Sequence, residues 1–375
     1  MPELPVSILA TELLPGWHTE MVLRMNKLLD GQNILVTGGT GSLGQALVRR
    51  IFEGGYGEPE RVLVFSRDEA KQHDMRTAFQ RKDRATDDLI YRDHSSRLRF
   101  RIGDVRSQAD LARAIDGIDM IIHAAALKQV PSCEYFPEQA IDTNCLGAIN
   151  LVEALRSRPN KVQVVVGLST DKACQPTNVM GMTKALQERI LVAANLVSEG
   201  TRFVAVRYGN IVASRGSVIP LFLEQIRSGN PVTLTSEKMT RFLMPSSSAV
   251  ETIFEAIKNA RAGEIVVRTA PSVRMTHVVK ALLRGRPIPI RITGIRPGEK
   301  LHETLITHEE AERTVRMGEF IFLAPMLPEF LDRRPQTDLT RLQTELSSNS
   351  DVLDFDETVS LMKAWQVDRW ETEPA

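Results

Sequence analysis

The stretch Asn33-Ile34-Leu35-Val36-Thr37-Gly38-Gly39-Thr40-Gly41-Ser42-Leu43-Gly44 leads into Leu47, Val48 and Ile51, apolar residues at helical spacing. An apolar run, a glycine cluster and an amphipathic run in that order predict a strand, a tight turn and a helix. Gly38 and Gly41 let the backbone approach a pyrophosphate, and Gly44 lets the helix lie close against the sheet. The helix start, through Thr40, Ser42 and Leu43, offers amide donors to an anion. A glycine turn that holds no ligand is the plain alternative.

Outward from this turn the rhythm repeats. Val62-Leu63-Val64-Phe65 forms a second apolar run, and further strands are read at 98–102, 120–123, 162–168 and 203–207, with helical patterns between most of them. Alternating strands and helices predict an α/β fold, a doubly wound parallel (Rossmann) sheet covered on both faces. After residue 210 the alternation weakens and Pro and Gly breaks appear at 229–231 and 287–289, where a smaller α/β substrate-binding part is expected. The boundaries read are 1–30 as an N-terminal extension with an amphipathic stretch at 19–29, 31–209 as the dinucleotide-binding domain, 210–340 as mainly the substrate part, and 341–375 as a last helix and a frayed tail.

Composition narrows the classes. The 375 residues carry 47 Lys plus Arg against 47 Asp plus Glu, so no global field exists to hold nucleic acid or an anionic membrane. Any anion must be bound locally. Three cysteines, Cys133, Cys145 and Cys174, lack the spacings of a zinc site or a redox dithiol, so no metal is expected and a reduced, cytoplasmic protein is the default. No run approaches the roughly 18 to 20 apolar residues of a membrane span, and the Met-Pro-Glu start lacks signal-peptide character.

The end of the second strand selects the dinucleotide. An acidic residue alone there favours the ribose hydroxyl of NAD, whereas positive charge accommodates the extra phosphate of NADP. Ser66, Arg67 and Lys71 surround Asp68, which favours NADP over NAD; a solvated helix start is the bland reading. Asp104, followed by Val105, is expected at the adenine edge. Ala124 and Ala125, with Ala126, let the cofactor run close to the backbone.

Ser169-Thr170-Asp171-Lys172 ends an apolar strand, at the sheet edge where open α/β folds bind ligands. An adjacent carboxylate and amine shift each other's pKa and can divide the roles of proton donor and acceptor, although a surface ion pair would look the same. Met180 and Lys184 stand one helical turn apart and share a face. Lys184 is expected to bond the nicotinamide ribose. Further on, Arg241 and Arg296 can make forked contacts to a diphosphate, and Asn210 and Glu299 can bond ribose or base, although Pro297-Gly298 also suits a simple type II turn. Lys128 lies near the expected sugar.

At this point the residues match a family. The chain resembles the extended short-chain dehydrogenases and, within them, the polysaccharide-biosynthesis-type 4,6-dehydratases acting on UDP-N-acetylglucosamine. Besides the glycine turn, the matching segments are Phe65-Ser66-Arg67-Asp68-Glu69, His123-Ala124-Ala125-Ala126-Leu127-Lys128, Thr143-Asn144, Ser169-Thr170-Asp171-Lys172-Ala173 and Pro176-Thr177-Asn178. Four more are Val206-Arg207-Tyr208-Gly209-Asn210, Ser214-Arg215-Gly216-Ser217-Val218, Met239-Thr240-Arg241-Phe242 and Arg296-Pro297-Gly298-Glu299-Lys300-Leu301. These last four are much more specific than the glycine turn.

The resemblance implies a redox-neutral dehydration with NADP. Hydride leaves carbon 4 of the sugar, the acidified proton leaves carbon 5, water leaves carbon 6 and the hydride returns to carbon 6. It implies Lys172 as base, Asp171 as acid and Thr170 bonded to the carbon 4 oxygen, with Val218 among the nucleotide contacts. It also implies a UDP-sugar substrate and a homo-oligomer, and it leaves carbon 5 open between retention and inversion, with the Met-Thr-Arg-Phe segment leaning to inversion. One departure stands out: the superfamily's tyrosine slot holds Met180, whose thioether cannot accept the carbon 4 hydroxyl proton. Asp171 acting through Thr170, or a water, remains for that step. The rival readings are a nucleotide-sugar epimerase and a non-catalytic NADP-binding regulator.

Overall fold

The computed structural model describes residues 27–84, 97–157, 159–212, 217–330 and 340–367, with the side chains of 80–84 left aside. The amphipathic stretch at 19–26, the Ser214-Arg215-Gly216 part of one motif and the tail from 368 onward lie outside the described residues. Residues 27–31 form a turn that drops Leu29 into the core.

The first half builds β1 (Asn33–Thr37), α1 (Ser42–Phe52), β2 (Arg61–Ser66), α2 (Glu69–Arg84), β3 (Leu98–Ile102), α3 (Gln108–Ala114), β4 (Met120–His123), α4 (Gly147–Arg156), β5 (Val164–Leu168), α5 (Val179–Ala194) and β6 (Arg202–Arg207). These strands pair in parallel in the order β3-β2-β1-β4-β5-β6. β1, β2, β4 and β5 are buried almost throughout, as their unbroken apolar runs require. β5 begins two residues later than the apolar run suggests, although Gln163 just before it already donates to the Asp119 carbonyl and accepts from the Arg202 amide. Gly44 faces Gly39 across the glycine turn, and a Cβ there would lie 2.6 Å from the Gly39 Cα. Helix α1 packs against the sheet only because that atom is missing.

The chain after residue 209 serves two bodies. β7 (Asn210–Ile211), α6 (Val218–Arg227), β8 (Val232–Leu234), β9 (Thr240–Met244) and α7 (Ser246–Asn259) lead into β10 (Ile265–Arg268), which joins β6 in parallel and extends the large sheet. β11 (Ser272–Arg274), α8 (Met275–Leu283), β12 (Ile290–Ile292) and β13 (Thr304–Ile306) follow. β14 (Thr314–Met317) and β15 (Phe320–Leu323) then return to close the large sheet with two antiparallel strands. The large sheet thus has nine strands. The smaller body is a four-stranded sheet, in which β7, β9 and β11 are joined by β16 (Val352–Leu353), with its own apolar cluster around Phe222, Leu243 and Val278. The last amphipathic run forms α9 (Phe355–Ala364), capped by Asp354 and Glu357. Among the described residues no helix is long and apolar enough to cross a membrane.

Candidate active site

The carboxyl ends of β5 and β6 meet the loop that runs from Arg296 into β13, through Lys172 with Glu303 and Arg207 with the Leu305 carbonyl. At β1, Gly41 is the N-cap of α1 in extended conformation and makes no side-chain cap bond. Glycine has no side chain with which to cap this eleven-residue helix, so Gly41 itself contributes only backbone there. Thr40 is buried, its carbonyl taken by Gln45, and Leu43 packs against the core. Beyond β2 the Arg67 side chain is half exposed and lies 3.7 Å from Asp104, while Lys71 is paired with Asp68 at 2.5 Å. Ser66 is buried and its hydroxyl accepts from Gln72. Asp104 is held by Arg106 at 2.7 Å; against the cost of burial, that partner keeps its carboxyl below the usual range. Val105 is a core residue whose carbonyl accepts from Asn150. Ala124 and Ala125 donate to the Thr37 carbonyl and hydroxyl, tying the ends of β1 and β4 together.

β5 ends in the reactive segment. Thr170 caps a short 3-10 turn, Asp171–Ala173, and donates to Asp171 Oδ1 at 2.9 Å. Lys172 Nζ donates to the same oxygen at 2.9 Å, to Asn210 Oδ1 at 3.4 Å, and lies 3.4 Å from Glu303 Oε1. Burial opposes the ammonium, but the Asp171 and Glu303 carboxylates outweigh it and raise the Lys172 pKa. The turn can sit so close to α5 because residue 181 is glycine: a Cβ there would lie 2.2 Å from the Lys172 carbonyl oxygen.

Lys184 is buried on α5, donating to Gln187 at 2.7 Å and to the Leu168 carbonyl, and burial brings its pKa down to about 8. Met180 is buried in an apolar cluster with Cys133, Ala140 and Leu127. Its thioether is packing, consistent with a slot that handles no proton.

The distal motifs are brought to the same place, though not with the contacts expected of them. Asn210 accepts from Lys172. Arg241 is buried and donates to the carbonyls of Thr240, Lys300 and Leu301, with Glu299 3.7 Å away. It braces the loop rather than reaching out of it. The Arg296–Glu299 segment is indeed a turn, with Gly298 at φ +76° and a bond from the Glu299 amide to the Arg296 carbonyl. The Gly298 carbonyl accepts from Asn178 at 2.8 Å and from Thr177 at 3.1 Å, so the turn clasps the start of α5. Arg296 is exposed, Lys128 stands exposed beyond β4, and Val218 opens α6.

Three groups of this site escape the sequence reading. Glu303 lies two residues beyond the Arg-Pro-Gly-Glu-Lys-Leu motif, where an acid at the edge of an apolar strand is the only sign. Glu188 and Glu310 flank Arg207, whose guanidinium bonds Glu188 at 2.8 and 3.1 Å, Glu310 at 2.8 and 3.1 Å, and the Leu305 carbonyl. Ser169, one residue before Thr170, donates to Glu188 at 2.5 Å. Among the described residues no group of three or more His, Cys, Asp or Glu side chains is placed to hold a metal ion.

Comparison with known proteins fits this geometry. The sequence model of the family described as "Polysaccharide biosynthesis protein" matches residues 34–325. The chain belongs to that family. Among curated relatives, a protein named UDP-glucose 4-epimerase from Rickettsia prowazekii is 42% identical over 292 residues, covering 76% of this chain and 81% of that one. Among solved structures, Pen from Bacillus thuringiensis is similar at a TM-score of 0.80 and 30% identity, over 90% of this chain and 99% of that chain. DesIV from Streptomyces venezuelae, a dTDP-glucose 4,6-dehydratase solved with NAD and TYD bound, shares the fold at a TM-score of 0.61 and 23% identity, over 72% and 86% of the two chains. Within the polysaccharide biosynthesis family, then, this chain carries the dinucleotide-type fold with a Thr-Asp-Lys segment at the end of β5.

Replacing Arg207 by Met leaves two buried carboxylates facing each other. The expected loss is about 3 to 5 kcal/mol of unfolding free energy, read from the urea midpoint; a midpoint close to wild type would show that the network contributes little.

Proposed function

We propose that this chain is an NADP-dependent UDP-N-acetylglucosamine 4,6-dehydratase, forming a UDP-4-keto-6-deoxy-N-acetylhexosamine for glycan synthesis. The observation that carries the reading is the line Thr170–Asp171–Lys172 at the carboxyl end of β5. A dinucleotide fits the residues present: the glycine turn at the N-terminus of α1, where a Cβ at Gly38 or Gly44 would meet backbone, suits a pyrophosphate, and the half-exposed Arg67 suits an additional phosphate. The bound nicotinamide supplies the acceptor for the carbon 4 hydride and its return to carbon 6.

The remaining steps fall to side chains. Thr170, already bonded to Asp171, passes the carbon 4 hydroxyl proton to that carboxylate, a path that dispenses with the tyrosine Met180 replaces. Lys172, as a neutral amine, takes the carbon 5 proton. Asp171 delivers the proton it received to the hydroxyl leaving carbon 6, so the protons balance as one water departs. Lys184, buried beside the end of β5, would bond the nicotinamide ribose.

The second reading, epimerisation at carbon 4, is favoured by the curated relative's name and its 42% identity. Epimerisation needs one proton acceptor at the carbon 4 oxygen, whereas dehydration also needs a base for carbon 5 and an acid for carbon 6. The site offers both in hydrogen-bonded order, which favours dehydration. A homo-oligomer is part of the proposal, because Leu146, Ile149, Met182 and Leu186 are exposed apolar residues on helical segments that pack against each other.

Four measurements check this. Incubation with UDP-N-acetylglucosamine is expected to give a product lighter by one water, an unchanged mass with inverted carbon 4 favouring epimerisation; Lys172→Ala should cost about a thousandfold or more in kcat, and Met180→Ala less than about tenfold. Arg67→Ala should weaken NADP on the order of tenfold while leaving NAD unchanged, equal weakening of both contradicting the NADP assignment. Leu186→Glu should shift wild-type dimers or larger assemblies toward monomer in sedimentation, and a monomeric wild type would remove that part of the proposal.

A further inference from the structure

Glu303 enters the site from outside the segments that define the fold. It precedes β13, and its backbone amide and carbonyl are both fixed by Ser348, through the hydroxyl at 2.8 Å and the amide at 2.7 Å. The side chain is 3% exposed, with Oε1 3.4 Å from Lys172 Nζ and Oε2 without a hydrogen-bond partner among the described residues. Asp171 Oδ2 is buried and likewise unpartnered. The ammonium of Lys172 therefore lies between two buried carboxylates that each keep one oxygen in reserve. The charged groups facing Glu303 are Asp171 and Lys172 on the 3-10 turn, Arg241 on β9 and Lys300 on its own loop, the last 3.7 Å from Oε2.

This arrangement bears on a difficulty in the proposed reaction, on which the inference rests. A lysine paired with two carboxylates is an ammonium, and an ammonium cannot take a proton from carbon 5. Asp171 cannot relieve it, because that carboxylate is occupied by the proton passed through Thr170.

We propose that Glu303 is the positioning residue that accepts the Lys172 proton, freeing the amine to act as the carbon 5 base. One N–H bond of Lys172 breaks and one O–H bond forms on Glu303 Oε1, the ion pair becoming a neutral amine and a neutral acid. No proton enters from solvent and no net charge changes. Burial, acting against Lys172, raises the Glu303 pKa, as a carboxylate destined to hold a proton requires. When the amine has returned its proton to carbon 5, the acid gives its own back and the pair is reset.

The test is the pH dependence of kcat. With Glu303 present the amine is freed internally, so kcat is expected to be flat on the alkaline side. In the Glu303→Gln protein Lys172 must lose its proton to solvent. Its kcat should fall by about a hundredfold near neutral pH, rise about tenfold per pH unit and approach wild type at alkaline pH, with KM little changed. The Glu303→Asp protein, which draws the carboxylate back by one methylene, should show the same convergence with a smaller neutral loss; it answers the question if the glutamine protein does not fold. A loss of equal size at every pH, in either protein, or no loss at all, overturns the proposal. Wild-type protein that makes no 4-keto product would instead remove the dehydratase reading beneath it.

Discussion

A single buried guanidinium ties the two halves of this protein to the site between them. Arg207 ends β6, bonds Glu188 of α5 and Glu310 beyond β13, and is only 2% exposed. Through Glu188 it reaches Ser169, and through the Leu305 carbonyl it fixes β13. Taking three charges out of water is costly, and apolar residues of similar volume would often be at least as stable. What the network supplies is direction: each partner has one geometry that satisfies all others, so the end of β5 and the strand carrying Glu303 are held in one register. Thr307 and Glu310 add a reciprocal helix cap that keeps the Glu310 carboxylate pointing inward.

Above this network the site is organised by close approach rather than by long side chains. Gly181 admits the Lys172 carbonyl to the flank of α5, and the Gly298 carbonyl clasps Thr177 and Asn178 at the start of that helix. Arg241 spends its donors on loop carbonyls. The consequence is a rigid frame in which Thr170, Asp171, Lys172 and Glu303 form one hydrogen-bonded and ion-paired line. Any proton transfer along such a line would depend on heavy-atom distance, which these backbone contacts fix.

The local charge logic resolves the apparent neutrality of the chain. With equal numbers of acidic and basic residues, no long-range field assembles the substrate. Positive groups are instead paired locally, Arg67 with Asp104 and Lys71 with Asp68 beyond β2, and Arg241 with Glu299 and Lys300 with Glu303 near the loop before β13.

How much of this was legible beforehand follows from the range of each interaction. The strand, turn and helix at 33–51 are written in contiguous residues, because backbone periodicity and the demand for glycine at a close approach are local properties. The pairing of Asp171 with Lys172 is local too, being a contact between neighbours. The motif residues Asn210 and Arg241 could be recognised but not given their contacts, since whether they face a ligand or brace Lys172 and the loop depends on what lies beside them in space. Glu188 and Glu310 carry no sign in sequence, as the latter is 103 residues from the arginine it pairs with. Composition and pattern by themselves determined a parallel α/β sheet with a glycine turn after its first strand and an Asp-Lys pair at the end of β5. Only the tertiary structure decided that a second carboxylate, Glu303, shares the Lys172 ammonium, because burial and a contact between distant strands exist only once the chain has closed.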